Sequence, residues 1–163
     1  MLVGIDHLQF EQTIVEQDAF TGLLNRRALL AQMEVLADRG GGVVASFDID
    51  GLKLVNDQYG HPFGDRVLKA FADVLRADIR KHDAVGRYGG EEFALLMPNT
   101  GKETAIRVAE RVRRDLEARG ITVEGKRIEV TVSGGISTYG ADGEDWDTLL
   151  SAADTALYEA KKH

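Results

Sequence analysis

The sequence has no cysteine, and none of its apolar runs is long enough to cross a membrane. The absence of cysteine excludes a disulfide framework and any thiol or zinc-thiolate chemistry, which fits a cytoplasmic protein. A membrane helix needs about 18 consecutive apolar residues, and the N-terminus lacks the basic start and apolar stretch of a signal peptide. We therefore expect no membrane contact in this segment and a cytoplasmic location.

Basic residues are also scarce, since 20 lysines and arginines face 27 acidic residues and leave a formal net charge of −7. A nucleic-acid backbone requires a basic surface, so we expect no nucleic-acid partner. A nucleotide remains compatible, because a metal ion can carry the phosphate charge. No internal repeat or low-complexity linker divides the 163 residues, which have ordinary globular composition.

A glycine pair, Gly89 and Gly90, separates two short apolar runs that predict strands. We expect a two-residue hairpin turn, because both glycines can take positive φ without a Cβ clash. Glu91 and Glu92 follow at once, and in an extended chain their side chains point to opposite faces. One of these acids can therefore face a site, and the bare glycine backbone lets a ligand approach closely.

A second acidic position lies upstream, where an apolar, β-branched run from Gly42 ends in Asp48 and Asp50. If this strand lies beside the hairpin, its acids meet those of the hairpin. Mg²⁺ binds proteins through one or two carboxylates together with substrate phosphates. The two segments therefore predict a Mg²⁺–nucleotide site on a sheet; the alternative is that the two glutamates solvate the tip of the hairpin.

The remaining chain alternates amphipathic helices with strands. Helices are predicted over residues 1–17, 26–38, 65–81, 102–119 and 145–161, with Asn25 and Asp65 as N-caps, and late strands over residues 121–123 and 127–138. This order predicts an α/β fold of the α+β sandwich type with a ferredoxin-like βαββαβ core. A palm-like central antiparallel sheet would be flanked by helices, with one extra helix at each end of the chain.

These motifs together resemble the GGDEF domain of diguanylate cyclases, over residues 18 to 161. Several motifs in the right order carry far more weight than any one of them. The matching segments are Asp18 with Thr21-Gly22-Leu23 and Asn25-Arg26, Phe47 to Asp50 with Lys53 and Asn56-Asp57, Gly60-His61 with Gly64-Asp65, Arg87 to Phe93, and Ala153-Asp154 with Ala156-Leu157-Tyr158 and Ala160-Lys161.

The resemblance implies that two GTP molecules condense to cyclic di-GMP and pyrophosphate, with one GTP held by each domain of a homodimer. It implies Mg²⁺ (or Mn²⁺) as cofactor, held by Asp48, the carbonyl of Ile49 and Glu91. Glu91, with Asp48, would be catalytic, and Glu91 is the candidate base.

Substrate contacts are implied in the same way. Asn56 and Asp65 would bind guanine, Lys53 and Lys161 would meet phosphates, and the backbone of Gly89 and Gly90 would lie against the nucleotide. Taken singly, Asn56 and Asp65 are typical turn and cap residues, and the lysines are typical of a solvated surface. Their joint spacing favours the site.

A second site is implied upstream of the hairpin, where Arg80 and Asp83 match the family's RxxD product-inhibition site. Arg107 and Arg111 occupy positions similar to its secondary product-binding arginines. The alternatives are a helix-end arginine with a local acid partner and a solvated, salt-bridged helix face.

The sequence departs from the family pattern at two places. Phe20 replaces the usual leucine of the first motif, and the chain stops at His163, where the family continues with a Gly-Arg-Asn run and a closing strand. We therefore expect a shortened C-terminal end within a catalytic domain of residues 18–163. Residues 1–17 would be the stub of a coiled coil from an upstream regulatory domain, or an ordinary packing helix.

Two other functions remain open at this point. The domain could bind GTP or cyclic di-GMP without turnover, which the shortened end favours and the intact pair of Asp48 and Glu91 opposes. It could also serve only for dimerisation, although that role would not need so complete a set of site residues.

Overall fold

The computed structural model describes residues 16–123 and 125–162. The predicted N-terminal helix over residues 1–17 lies outside the described residues except for its last two positions. The described helices are α1 (Arg26–Asp38), α2 (Leu52–Tyr59), α3 (His61–Asp78), α4 (Lys102–Arg119) and α5 (Trp146–Lys162). The strands are β1 (Gly42–Ile49), β2 (Ala84–Arg87), β3 (Glu92–Pro98), β4 (Ile121–Val123), β5 (Lys126–Ile128) and β6 (Val132–Thr138).

Four of the strands form one antiparallel sheet in the order β2-β3-β1-β6. Strands β4 and β5 form a separate two-stranded hairpin. The order confirms the predicted ferredoxin-like core, in which the first strand lies between the third and the last. The central position of β1 places the carboxyl end of this strand directly beside the start of β3.

The apolar sequence of β1 reflects helices on both faces of the sheet. On one face, Phe47 packs in a cluster with residues of α3 and α4, where its ring meets that of Phe71 edge-on at 5.9 Å. On the other face, Val44 packs with Leu29 and Met33 of α1 and with Leu149 of α5. Side chains alternate along a strand, so Ser46 and Asp48 share the α1/α5 face with Val44.

Helix α1 begins as predicted, because the side chain of Asn25 accepts a hydrogen bond from the Ala28 backbone N–H. The prediction for α3 is wrong at both ends. The helix begins at His61 rather than after Asp65, and it ends at Asp78. Pro62 fits the first turn of a helix, where no N–H is needed, and Ile79 is already extended.

The late strands also differ from the prediction, since the single strand expected over residues 127–138 is divided into β5 and β6. Residues between them carry Thr131, whose carbonyl accepts from the Asp50 backbone N–H beyond the end of β1. Within the described part of the chain, no helix combines the length and the apolar character that a membrane span requires.

Candidate active site

Asp48 lies at the end of the central strand, with Glu92 of β3 opposite it on one side and Ser133 of β6 on the other. Glu91 immediately precedes β3. The antiparallel pairing of β1 with β3 therefore brings together the two acids that were predicted to share a metal ion. Burial and, after it, the charge of Asp48 raise the pKa of the Glu91 carboxyl.

The two oxygens of Asp48 have different surroundings. Oδ2 lies 3.0 Å from the Nζ of Lys161, whereas Oδ1 is buried without a hydrogen-bond partner. Buried carboxylate oxygens normally find a partner. Asp48 thus offers one lone oxygen at the end of the sheet, and a cation is a suitable ligand for it.

The pKa values of Glu91 and Glu92 are both raised from the ordinary value of a glutamate. Burial raises the pKa of Glu91 first, Asp48 and Glu92 raise it further, and Lys161 lowers it in part. Burial likewise raises the pKa of Glu92, followed by the charges of Asp154 and Asp48, against Arg26. An excess of negative charge at partly buried carboxyls is the setting in which a bound cation is stabilised.

The residues fit a divalent metal ion. The orphaned oxygen of Asp48 and the charge repulsion at Glu91 both favour one. Ile49, a buried residue with an apolar side chain, can offer only its main-chain carbonyl. No group of three or more His, Asp or Glu side chains among the described residues could hold an ion alone. A Mg²⁺ ion here would therefore complete its oxygen ligands with substrate phosphate and water.

The glycine segment differs from the predicted turn. Four residues, 88–91, separate β2 from β3, and neither Gly89 nor Gly90 has a positive φ. Arg87 holds the loop instead, because its Nη2 donates to the Gly90 carbonyl oxygen at 2.6 Å. A Cβ at Gly90 would meet nothing within 4 Å, so the side of the loop that faces away from the protein is open to a ligand.

Arg87 also connects the loop to the start of the described chain. Its Nη1 lies 3.2 Å from Asp18 Oδ2, which accepts from the backbone N–H and the hydroxyl of Thr21. Burial acts to raise the pKa of Asp18, but these hydrogen bonds and the guanidinium lower it overall. The carboxylate therefore stays ionised and keeps Arg87 aimed at Gly90.

The residues predicted to bind guanine lie on the adjacent helices α2 and α3. Asn56 Oδ1 is buried without a hydrogen-bond partner. Gly64 packs so closely that a Cβ there would lie 1.7 Å from this oxygen. Asp65, the next residue, is exposed within α3, and Lys53 is exposed on α2. A free amide oxygen next to an exposed carboxylate is an arrangement that can accept from a base edge.

Lys161 was predicted to meet phosphates, and the structure pairs it with acids. Its Nζ lies 3.0 Å from Asp48 and 3.6 Å from Asp50. Burial acts to lower the pKa of the Lys161 ammonium, but the hydrogen bond and charge of Asp48, with Asp50 and Glu91, outweigh it and raise the pKa. Asp50 is held in turn by the hydroxyls of Thr131 and Ser133.

Arg80 and Asp83, the RxxD pair, form an ion pair with each other just before β2. The guanidinium of Arg80 contacts both oxygens of Asp83 and donates to the Thr100 hydroxyl. The Asp83 side chain is 1% exposed, whereas that of Arg80 is 46% exposed. Both residues line a cavity of about 420 Å³ together with His82 and Arg39. In this state Asp83 orients Arg80, which is the group that faces solvent.

The two further arginines on α4 are not part of that cavity. Arg111 donates to the main-chain oxygen of Asp78 at 2.6 Å and lies 3.5 Å from its carboxylate. Arg107 is exposed and donates to Thr104. Arg111 is thus held at the end of α3, two residues before Arg80 in the same chain.

A profile of the family described as "Diguanylate cyclase, GGDEF domain" matches residues 15–163. The chain belongs to the GGDEF domain family. Diguanylate cyclase A from Treponema denticola is 42% identical to this GGDEF domain over 120 residues, which are 74% of the chain and 32% of that protein. Response regulator PleD from Caulobacter vibrioides is 39% identical, over 96% of the chain and 36% of that protein. The chain thus spans about a third of the length of these curated relatives.

Among solved structures, this GGDEF domain is similar to the diguanylate cyclase SiaD from Pseudomonas aeruginosa, which was crystallised in complex with its activator SiaC. The TM-score is 0.88 at 35% identity, and the match covers 99% of this chain and 64% of that one. The agreement extends over nearly the whole chain, so the fold of the family is shown.

Sequence reasoning assigned no role to three polar residues that this GGDEF domain places beside the site. Asp154 Oδ1 accepts from Ser46 Oγ and from Tyr88 Oη, each at 2.8 Å. Burial raises the pKa of Tyr88 well above its ordinary value. Tyr88 and Asp154 stood within the matching motifs, but a hydrogen bond between residues 66 positions apart leaves no signal in one sequence.

Proposed function

We propose that this chain is a diguanylate cyclase domain that condenses two GTP molecules to cyclic di-GMP and two pyrophosphates. The observation that supports it most is the meeting of Asp48 and Glu91 at the end of the central strand, with the lone oxygen Asp48 Oδ1 facing no protein partner. The family and the named relatives support cyclic di-GMP synthesis in general.

Each half of the reaction is an in-line displacement at an α-phosphate. The ribose 3′-oxygen of one GTP forms a bond to the α-phosphorus of the other, the bond to the β-phosphate bridging oxygen breaks, and pyrophosphate leaves. Bound Mg²⁺ or Mn²⁺ would supply charge neutralisation at the attacking and leaving oxygens. Glu91, whose pKa is raised, would accept the proton that the 3′-hydroxyl loses.

The other residues would position the nucleotide. Asn56 Oδ1 and the Asp65 carboxylate would accept from the guanine N–H groups, and the open face of Gly90 would lie against the phosphates. Lys53 is exposed near Asn56 on α2 and would meet phosphate oxygens. Lys161 would exchange Asp48 for a phosphate when the substrate and its metal ion arrive.

One GTP per domain cannot cyclise alone, so the domain would act as a homodimer. We also infer a cytoplasmic location. We further infer an upstream regulatory domain in a longer protein, because the chain spans only about a third of the length of its curated relatives. Product inhibition would occur at Arg80 and Asp83, with Arg107 and Arg111 contributed by a second domain.

The test is incubation of the chain with GTP and Mg²⁺ over a series of protein concentrations, with cyclic di-GMP and pyrophosphate quantified by chromatography. We expect a product ratio of one to two, loss of product with EDTA, and specific activity that rises with protein concentration. GTP binding without product would establish a binding module instead. A concentration-independent specific activity in a range where sizing shows monomer would rule out the dimeric reaction.

A further inference from the structure

Ser46, Tyr88 and Asp154 form a hydrogen-bonded cluster that joins the three segments carrying the candidate site. Ser46 is fully buried on β1, two residues before Asp48. Tyr88 directly precedes Gly89 in the loop, and Asp154 lies on α5. Asp154 Oδ1 accepts from both hydroxyls at 2.8 Å, and the hydroxyls also contact each other.

Helix α5 contacts β1 at two neighbouring positions on the same face of the strand, through Asp154 at Ser46 and through Lys161 at Asp48. Ser46 and Asp48 lie on the same face of β1, and Asp154 and Lys161 are seven residues apart on α5, which is about two helical turns. Helix α5 therefore lies along β1 with two polar contacts, an inner one from Asp154 to Ser46 and an outer one from Lys161 to Asp48.

The two contacts differ in what substrate binding would do to them. The outer contact uses Asp48 and Lys161, the groups that would bind the metal ion and a phosphate, so it would break when those ligands arrive. The inner contact uses no such group. It would remain as the polar attachment of this part of α5 to β1, and through Tyr88 it also holds the start of the glycine loop.

We propose that Asp154 is a positioning residue, whose Oδ1 keeps α5 and the Gly89–Glu91 loop on β1 while Lys161 leaves Asp48 for the GTP phosphates. This inference rests on the proposed function. The requirement is an acceptor oxygen at that place, not a charge, because both of its partners are hydroxyl donors.

The chain offers a matched control at the other end of the same helix. The Ser137 hydroxyl is fully buried and donates to the Leu149 carbonyl at 2.8 Å, which attaches α5 to β6. Ser137→Ala removes one hydrogen bond of the helix, a buried one, and Tyr88→Phe also removes one, a more exposed one to Asp154. Among the described residues, the side-chain hydrogen bond of Ser137 goes to Leu149, which belongs neither to the loop nor to the Lys161 contact.

The experiment compares kcat, KM for GTP and Tm for wild type, Asp154→Asn, Asp154→Leu, Tyr88→Phe and Ser137→Ala. We expect Asp154→Leu and Tyr88→Phe to lower kcat by about tenfold, the equivalent of one lost hydrogen bond. KM should change less than kcat, because Asn56 and Asp65 hold the base independently. Asp154→Asn should keep most of kcat, and Ser137→Ala should lower Tm while leaving kcat unchanged.

Two patterns would overturn the inference. If Ser137→Ala lowers kcat as much as Tyr88→Phe, general docking of α5 explains both losses. If Asp154→Asn is as impaired as Asp154→Leu, the charge matters and not the acceptor. Either pattern with an active wild type defeats this inference alone, whereas a wild type that makes no cyclic di-GMP overturns the proposed function and the inference together. Tyr88→Phe keeps the test decisive if Asp154→Leu does not fold.

Discussion

Lys161 on α5 donates to Asp48 on β1 across 3.0 Å, although the two residues are 113 positions apart in the chain. The ammonium of Lys161 therefore occupies Oδ2 of Asp48, the predicted metal ligand, while Oδ1 of Asp48 has no hydrogen-bond partner. Substrate binding would then replace a protein ion pair with metal and phosphate contacts. On the proposed function, Lys161 would become available for phosphate when a metal ion replaces it at Asp48.

Replacement of this lysine tests that exchange. In Lys161→Met we expect KM for GTP to rise by about tenfold, because a charge-assisted contact to phosphate is lost. The pKa of Glu91 should also rise further, since the Lys161 charge now lowers it. The measurement is initial rate against GTP at saturating Mg²⁺, with Lys126→Met, an exposed lysine on β5, as control. Equal KM values for the two variants would contradict the role of Lys161.

Base choice should depend on Asp65. Asp65→Ala removes the proposed acceptor of the guanine N–H groups, and we expect kcat/KM for GTP to fall by about ten- to a hundredfold, since an unpaired group at such a site costs about 1–3 kcal/mol. The wild type should prefer GTP strongly over ATP, and the variant should lose most of that preference. Asp57→Ala, which changes an exposed acid on α2, is the control. Comparable wild-type rates with GTP and ATP would refute the assignment.

Feedback by the product should depend on Arg80. Asp83 and Thr100 hold its guanidinium in place, and about half of the side chain faces solvent. We expect Arg80→Ala to raise the cyclic di-GMP concentration that halves the initial rate by about tenfold or more, because a bidentate contact to phosphate or guanine is lost. The rate without added product should change little.

The controls for feedback are Lys81→Ala, which removes an adjacent exposed charge, and Arg111→Ala. Arg111 is paired with Asp78 in this structure, so we expect its loss to weaken inhibition less than the loss of Arg80. Inhibition curves that superimpose for wild type and Arg80→Ala would mean that Arg80 is only a helix-end charge.

Asp78 should make the domain less stable as pH rises. Burial raises the pKa of Asp78 to about 6, the neighbouring Asp115 raises it too, and Arg111 lowers it in part. Because the folded-state pKa lies above the ordinary value near 3.8, the stability that Asp78 contributes is present at low pH and is lost as pH rises through about 6. Asp78→Asn should therefore unfold at a higher temperature than wild type at pH 7.5 but not at pH 4.

The difference at pH 7.5 should be about 2–4 °C, the shift that about 1 kcal/mol produces in a domain of this size. Thermal unfolding followed by circular dichroism at the two pH values measures it, with Asp38→Asn, an exposed acid at the end of α1, as control. A variant that is less stable than wild type at pH 7.5 would show that Asp78 gains more from Arg111 than it loses to Asp115.

The sheet order and the meeting of Asp48 with Glu91 were predictable because both depend on strand patterns and motifs that lie within short segments. The start of α3 was missed because Asp65 is a typical N-cap residue, whereas the helix begins at His61 and places Pro62 in its first turn, a position that proline favours. The cluster of Ser46, Tyr88 and Asp154 was missed for another reason. Its members come together only when β1, the glycine loop and α5 pack against one another. A single polar residue in a sequence does not indicate which distant residue it will hydrogen-bond.

The turn at Gly89 and Gly90 shows the same limit at short range. A glycine pair between strands fits a two-residue turn, yet the hydrogen bonds from Arg87 to the Gly90 carbonyl hold a longer loop in which neither glycine has positive φ. Arg87, whose side chain fixes the loop, lies in the motif, but the orientation of its guanidinium depends on Asp18, which is 69 positions away.

The most direct test of the account is the amount of cyclic di-GMP that wild type and Glu91→Gln form from GTP and Mg²⁺. The substitution keeps the shape of the side chain and removes the charge that would bind the metal ion and accept the proton. We expect product formation to fall by at least about a thousandfold, with Tm equal to or above that of wild type, because burial and Asp48 disfavour the charge of Glu91. Glu103→Gln, an exposed acid on α4, should keep full activity. Turnover by Glu91→Gln at the wild-type rate would contradict the central claim that Asp48 and Glu91 form the catalytic metal site.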